Sequence, residues 1–224
     1  MSTLEVLLGA ILSIIITIVV EVQRKPKIRM CISKPVDSNY VGHPAQHARF
    51  LGIIVENRSL SRVFRWLARN AALQSQGLIS FFHLDGQPVF SSPMMGRWSG
   101  SPEPVPPISI IGDNLTINQI TIAYDITSTP HTKMDIHPGR GEKLDIAARF
   151  DQDDVCYGWN NEAYFSTPQW RNSKWRLLQG RYLVRVEITS AGEKTTRLFR
   201  LCNDVVIDDF RLEPAQKSDY DLFK

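Results

Sequence analysis

Any chemistry in this chain would come from five histidines, three cysteines and scattered carboxylates. His43 and His47 stand at i and i+4, the spacing that offers two imidazoles to one metal from a helix. Gly42 and Pro44 make the segment a loop instead, and the sequence places no third ligand beside them. Asp151, Asp153, Asp154 and Glu162 have the span of a calcium loop. Val155 takes a ligand position, however, and Cys156 stands where the sharp turn needs glycine, so a solvated acidic turn is expected. Gly96-Arg97-Trp98-Ser99-Gly100 misses the G-x-S-x-G elbow by one position. Phosphate-cradling glycine motifs are absent from the sequence. His131 and His137 fall at the ends of a predicted strand, and Cys202 closes another as a small core residue. No catalytic residue, metal or cofactor is expected. A hydrolase drawing on His43, His47, His83, Cys156 or the 151–154 turn is the weakest of three functional readings.

Recognition chemistry is better represented. Cys156-Tyr157-Gly158-Trp159-Asn160-Asn161-Glu162 is aromatic and amide-rich. Rings supply contact area and amides supply hydrogen bonds, which makes Tyr157, Trp159, Asn160 and Asn161 candidate binding residues. The alternative is a structural loop covering the end of the fold. Arg97-Trp98-Ser99-Gly100-Ser101-Pro102-Glu103-Pro104 reads as an exposed proline-rich loop.

A third candidate is a basic stripe. In 59–70, Leu60, Val63, Phe64 and Leu67 follow the helical period. Arg58, Arg62, Arg65 and Arg69 fall on the opposite face, with Trp66 on the flank. The spacing predicts a short amphipathic helix capped by Asn57 or Ser59. Its arginines either meet an anionic membrane surface or form a solvated face.

These candidates need a scaffold, and the chain after Pro26 reads as short strands with turns between them. Strands are predicted at 27–33, 50–56, 76–84, 119–126, 143–150, 181–189, 195–202 and 205–212. Tyr182, Val184, Val186 and Ile188 share one face of the clearest of them. Asp85-Gly86, Gly112-Asp113-Asn114, Pro138-Gly139 and Ala191-Gly192 mark turns. The pattern predicts a mainly β protein, an immunoglobulin-like β-sandwich with elaborated loops. The run Gly180-Arg181-Tyr182-Leu183-Val184 resembles the corner of such domains, where a tyrosine hydroxyl locks onto nearby backbone.

The remaining signal is charge placement. The chain has 224 residues and a net charge of +3. Its mean hydropathy of −0.17 excludes a multi-span membrane protein. Residues 1–22 contain no Lys or Arg, whereas 23–29 contain Arg24, Lys25, Lys27 and Arg29 and no acid. Residues 4–22 are apolar over about 28 Å of helix, enough to cross a membrane. The expected organisation is a single-pass transmembrane anchor at 1–22, a basic collar at 23–29, a β-sandwich at 30–212 and an acidic tail at 213–224. The segment has neither the basic start nor the cleavage site of a signal peptide. Basic residues remain on the cytoplasmic side, so the C-terminal domain is predicted there. An odd cysteine count agrees with a reducing compartment. Sequons at Asn57 and Asn114, or a Cys156–Cys202 pair, would matter only with the body outside. Gly9, Ser13 and Thr17 form a small-residue stripe through which two copies could self-associate as a homo-oligomer. The near-neutral body makes nucleic acid an unlikely partner.

Several of these segments, including Trp66-Leu67-Ala68-Arg69-Asn70-Ala71, Asp135-Ile136-His137-Pro138-Gly139, the 97–104 and 156–162 runs and Gly180–Val186, resemble a group of single-pass bacterial and archaeal membrane proteins. That resemblance implies an N-terminal anchor and an immunoglobulin-like domain, and it implies no activity. The expected function is therefore a membrane-anchored, non-enzymatic module that binds or scaffolds a protein partner. The second reading is a membrane-surface sensor or effector that responds to anionic lipid or a small ligand through the arginine segment and the aromatic loop.

Overall fold

The computed structural model describes residues 3–40, 43–61, 66–102, 104, 132–168 and 170–223. A helix, α1 (Thr3–Arg24), comes first. Thirteen strands follow among the described residues: β1 (Ile28–Ile32), β2 (Val36–Tyr40), β3 (His43–Asn57), β4 (Ala72–Phe82), β5 (Met94–Met95), β6 (Arg97–Trp98), β7 (Lys133–Ile136), β8 (Gly141–Phe150), β9 (Cys156–Gly158), β10 (Arg176–Leu177), β11 (Gly180–Ser190), β12 (Glu193–Asn203) and β13 (Arg211–Pro214). A short helix, α2 (Lys217–Asp221), ends the chain.

Two antiparallel sheets result. The first runs β1-β3-β8-β9-β10, with β2 also on β3 and β6 also on β8; the second runs β13-β12-β11-β4-β5, with β7 also on β4. Their inner faces share one core. Leu51, Ile53, Val55, Leu144 and Ile146 from the first sheet belong to the same cluster as Ile79, Phe81, Val184, Val186 and Phe199 from the second. Alternation produces this arrangement: Tyr182, Val184, Val186 and Ile188 are all buried. The sheets come close at Leu144. A Cβ on Gly77 would lie 2.7 Å from its Cδ2, so that crossing requires glycine.

The tyrosine corner forms as its sequence suggests. Tyr182 Oη donates to the Leu178 carbonyl at 3.0 Å. Gly180 between them has φ +151°, a conformation that side-chain-bearing residues rarely adopt.

Two expectations change. The segment 59–70 is not an amphipathic helix in its described parts. Residues 59–61 and 68–70 carry no regular structure and Trp66 lies in a turn. Val63, Phe64, Arg62 and Arg65 lie outside the described residues. Long-range bonds to the ends of this segment override its helical period: the Asn70 amide donates to the Arg24 carbonyl at 2.7 Å, and Asn57, the expected cap, bonds elsewhere. The 42–44 region is also not a loop throughout, since β3 starts at His43. The predicted strand at 119–126 and the turn at 112–114 fall outside the described residues, as do His131 and the Asn114 sequon.

Candidate functional site

The register of the sheets gives the body two ends. Ile28 pairs with Asn57, Glu56 with Gly141 and Ala72 with Ile136, so the collar, the 58–71 loop, the 137–140 turn and the β11–β12 turn share one end. This end adjoins α1 and is called proximal. Ala48 pairs with Phe150 and Gly180 with Asn203 at the other, distal end. The ten residues of β8 separate the two by about 33 Å.

Asn57 organises the proximal end. It is fully buried. Its Oδ1 accepts from the Lys27 amide at 3.1 Å, and its Nδ2 donates to the carbonyls of Asn70 at 2.9 Å and Ile136 at 3.1 Å. Its own amide donates to the Arg140 carbonyl, and its carbonyl accepts from Gly139. The collar, the 58–70 loop and the β7–β8 connection therefore meet on one side chain. Every polar atom of that side chain is occupied by the fold, so its sequon cannot carry a glycan. Arg69 Nη1 donates to the Lys25 carbonyl at 2.5 Å, and the Lys25 ammonium pairs with Glu193 at 2.9 Å. Desolvation, together with the neighbouring positive charge of Arg58, lowers the pKa of Arg69. A groove of about 370 Å³ opens between the last turn of α1 and the β11–β12 turn, lined by Glu21, Lys25, Asn70, Ser190, Gly192 and Glu193.

A buried guanidinium organises the distal end. Arg149 bonds the Asp153, Asp204 and Val205 carbonyls and, at 3.0 Å, Asn203 Oδ1. Arg49 adds a bond to the Ile207 carbonyl at 3.0 Å and an ion pair with Asp208 at 3.0 Å. The 204–208 segment follows the second sheet yet is fastened by two arginines of the first. Val205 (74% exposed) and Val206 (53%) project from it. Leu178 (60% exposed) is at the same end, its carbonyl accepting from Asn203 Nδ2 at 3.1 Å.

His47 lies between two carboxylates, with Nδ1 2.8 Å from Asp151 and Nε2 3.3 Å from Asp37. Hydrogen bonding by Arg49 holds the Asp37 carboxyl below its ordinary range. Of the residues considered for hydrolysis, His47 and Asp151 are thus brought together. His83 instead sits against Tyr182, and Cys156 is buried, where desolvation pushes its thiol strongly up. The acidic residues near 151–162 are divided among partners: Asp153 takes Arg171, and Glu162 takes Asn172, Lys174 and Trp175. Desolvation raises the pKa of Glu162, but the Trp175, Lys174 and Asn160 hydrogen bonds and the Lys174 charge outweigh it and leave the pKa lowered. Among the described residues no group of three or more metal-capable side chains assembles. All three cysteines are free thiols.

The aromatic segment packs inward. Tyr157, Trp159, Asn160 and Asn161 are all buried. Trp159 meets Phe50, Tyr164 and Trp170 edge-on or tilted, at centroid distances of 5.0, 5.4 and 5.6 Å. Together they cover the outer face of the first sheet. The proline-rich loop is pinned beneath them. Arg97, itself buried, donates to Asn161 Oδ1 at 2.8 Å and to the Ser101 carbonyl at 2.8 Å. Arg58 and Trp66 are exposed at the proximal end. On α1, Thr17 Oγ1 donates back to the Ser13 carbonyl at 2.9 Å, and nothing lies within 4 Å of a Cβ placed on Gly9. The residues that sequence reading missed are Asn57 as a hub, Arg49, Arg97, Arg149 and the Leu178/Val205/Val206 group. Their partners are distant in the chain, and only the exposed valines at 205–206 carried a local signal.

The helix α1 is long and apolar enough to span a membrane, and its Val6–Arg24 stretch has no residue buried against the body. In comparisons with known proteins, no family model, curated sequence or solved structure matches the chain.

Proposed function

We propose that the chain is a membrane-anchored, non-enzymatic adaptor that presents a protein-binding surface to the cytoplasm. In this reading α1 is the anchor and the basic collar keeps the body on the cytoplasmic side. The body is an immunoglobulin-like sandwich, which the paired sheets and the Tyr182 corner support. The observation that carries the reading is the exposed apolar group Leu178, Val205 and Val206 at the end opposite α1. Exposed apolar side chains on a backbone fixed by Arg149 and Arg49 lose little further freedom when a partner covers them, which favours binding.

The test is a photo-crosslinking residue placed at position 205 or 196 of the full chain in its own membrane. A discrete adduct is expected at 205, absent at 196 and lost with Leu178→Ser. Equal labelling at both positions, or none at 205, overturns the distal binding surface.

A further inference from the structure

The proximal end has a composition that a partner-binding adaptor does not require. Lys25, Lys27, Arg58 and Arg140 are exposed there, with Arg24 and Arg69 partly so. Glu21, 3.6 Å from Arg24, and Glu193, 2.9 Å from Lys25, pair with two of these six bases; Glu56, Asp135 and Glu142 also lie at this end, Asp135 accepting from the Gln74 amide. Among the described residues Lys27, Arg58, Arg69 and Arg140 have no carboxylate partner. Arg24 Nε and Arg69 Nε are buried without a hydrogen bond among the described residues, so the fold satisfies these two guanidinium groups only in part, through Glu21 and the Lys25 carbonyl.

Trp66 adds a second observation. The chain has five tryptophans. Trp98, Trp159 and Trp175 are buried, Trp170 packs on Phe50 and Trp159, and Trp66 alone is 76% exposed. It precedes Asn70 by four residues, and the Asn70 amide is bonded to the Arg24 carbonyl at the end of α1. Four residues of chain reach at most about 14 Å. Trp66 therefore lies within about 14 Å of Asn70, close enough to the helix end to reach the headgroup layer of a bilayer that α1 spans. An amphipathic ring among guanidinium groups at that depth matches the chemistry of a membrane interface.

We infer that the proximal end of the body docks on anionic phospholipid headgroups, with Trp66 inserted at the interface and Arg58, Arg69, Arg140 and Lys27 facing the phosphates. This inference rests on α1 being the anchor. The leaflet that the anchor leaves is the surface opposed to these charges, and docking on it fixes the attitude of the body and directs Leu178, Val205 and Val206 away from the membrane. Arg58 and Arg69 thereby act from the described ends of the 58–70 segment, the second of them stapled to the collar through the Lys25 carbonyl.

The experiment reconstitutes the full chain in vesicles of phosphatidylcholine alone or with phosphatidylglycerol at about a third of the lipid. The acyl chains are brominated just below the headgroups, and the Trp66 signal is taken as wild type minus Trp66→Phe. In anionic vesicles Trp66 emission is expected to fall at least twofold, and the fall should reverse in high salt because surface charge is screened. It should shrink at least twofold with Arg58→Gln/Arg140→Gln, whose side chains hold no other element in place. A Trp66 signal that is unquenched, or quenched equally in neutral vesicles, in a chain that stays in the bilayer through alkaline carbonate overturns the headgroup docking and leaves the anchor standing. A chain released by carbonate overturns both.

Discussion

The two ends of the body are built on the same device, neutral at one and cationic at the other. At each, one buried polar side chain gathers backbone groups from segments far apart in sequence. At the proximal end it is the neutral amide of Asn57, which takes both a donor and acceptors. At the distal end it is the guanidinium of Arg149, which takes carbonyls and an amide oxygen. The surroundings explain the difference. A buried cation next to Lys25, Lys27, Arg58 and Arg69 would add to an unrelieved positive field, whereas the distal end has Asp153, Asp204 and Asp208 to offset one. The comparison teaches that the fold separates its charge along its length: a basic end facing the helix and an acid-balanced end facing away.

The largest effect should come from breaking the distal hub. Arg149→Met leaves four oxygens without this donor, the Asn203 amide oxygen in a buried place and three carbonyls in partly buried ones. Each such loss costs about 1–3 kcal/mol when water cannot replace the donor, so a total of about 4 kcal/mol is expected after partial relaxation. The urea midpoint of the full chain in detergent should fall with little change in slope. Exchange protection should be lost first around 203–208. If the proximal loops lose protection equally early, the two ends are not separate units.

Asn57→Ala is the matching break at the proximal end. It strands the Lys27 amide and the Asn70 and Ile136 carbonyls, and about 3 kcal/mol is expected. The discriminating readout is proteolysis in the membrane-bound state. Cleavage should appear within the collar and the 58–70 loop while β11 and β12 remain protected. An Asn57→Asp variant, which sets a buried carboxylate oxygen against the Asn70 and Ile136 carbonyls, should be no more stable than Asn57→Ala although it retains the acceptor for Lys27.

These hubs show where the sequence stops being readable. The apolar run of α1, the alternation of β8, β11 and β12, and the Tyr182 corner all depend on neighbours within a few residues, and all are legible. β2, with the sequence Val-Asp-Ser-Asn-Tyr, and the two-residue strands β5, β6 and β10 carry no periodicity to detect. Asn57 reaches Ile136 across 79 residues and Arg149 reaches Asn203 across 54, and no local pattern encodes such partners. The 59–70 segment is the instructive case. Its 3.6-residue spacing is real, but its ends are tied to Arg24, Lys25 and Asn57, and tertiary bonds overrule local propensity. The aromatic segment at 156–165 was legible as aromatic and amide-rich. That it turns inward over Phe50 and Phe150 depends on the register of β8 with β9, which the sequence does not announce.

A smaller break sharpens the distal end alone. Tyr182→Phe removes the bond to the Leu178 carbonyl and keeps the ring. One intramolecular hydrogen bond is worth about 1 kcal/mol, so the melting temperature should drop by a few degrees. Since Asn203 still holds the same carbonyl, the exposed Leu178 should keep its place and any adduct at position 205 should survive. Loss of the adduct would show that the corner, not Arg149 and Asn203, sets the distal surface.

The smallest expected effect separates the ends by pH. Asp37 is held below its ordinary pKa of 3.8, chiefly by the hydrogen bond from Arg49, with charge from Arg49 and His47 adding to it and desolvation opposing. A carboxyl whose folded pKa is below its unfolded one stabilises the fold fully above the unfolded value and loses that stabilisation as pH falls through the folded value. Asp37 is 43% exposed, so solvent screening keeps the contribution under about 1 kcal/mol. Between pH 5 and pH 2.5, exchange corrected for intrinsic rates should rise in β2 and the neighbouring part of β3. The 58–61 and 66–70 stretches contain no carboxylate, so their backbone should respond less. Asp37→Asn should abolish the distal change, because the group that takes up the proton is gone. An unchanged pH response in that variant would overturn Asp37 as the source of the acid sensitivity.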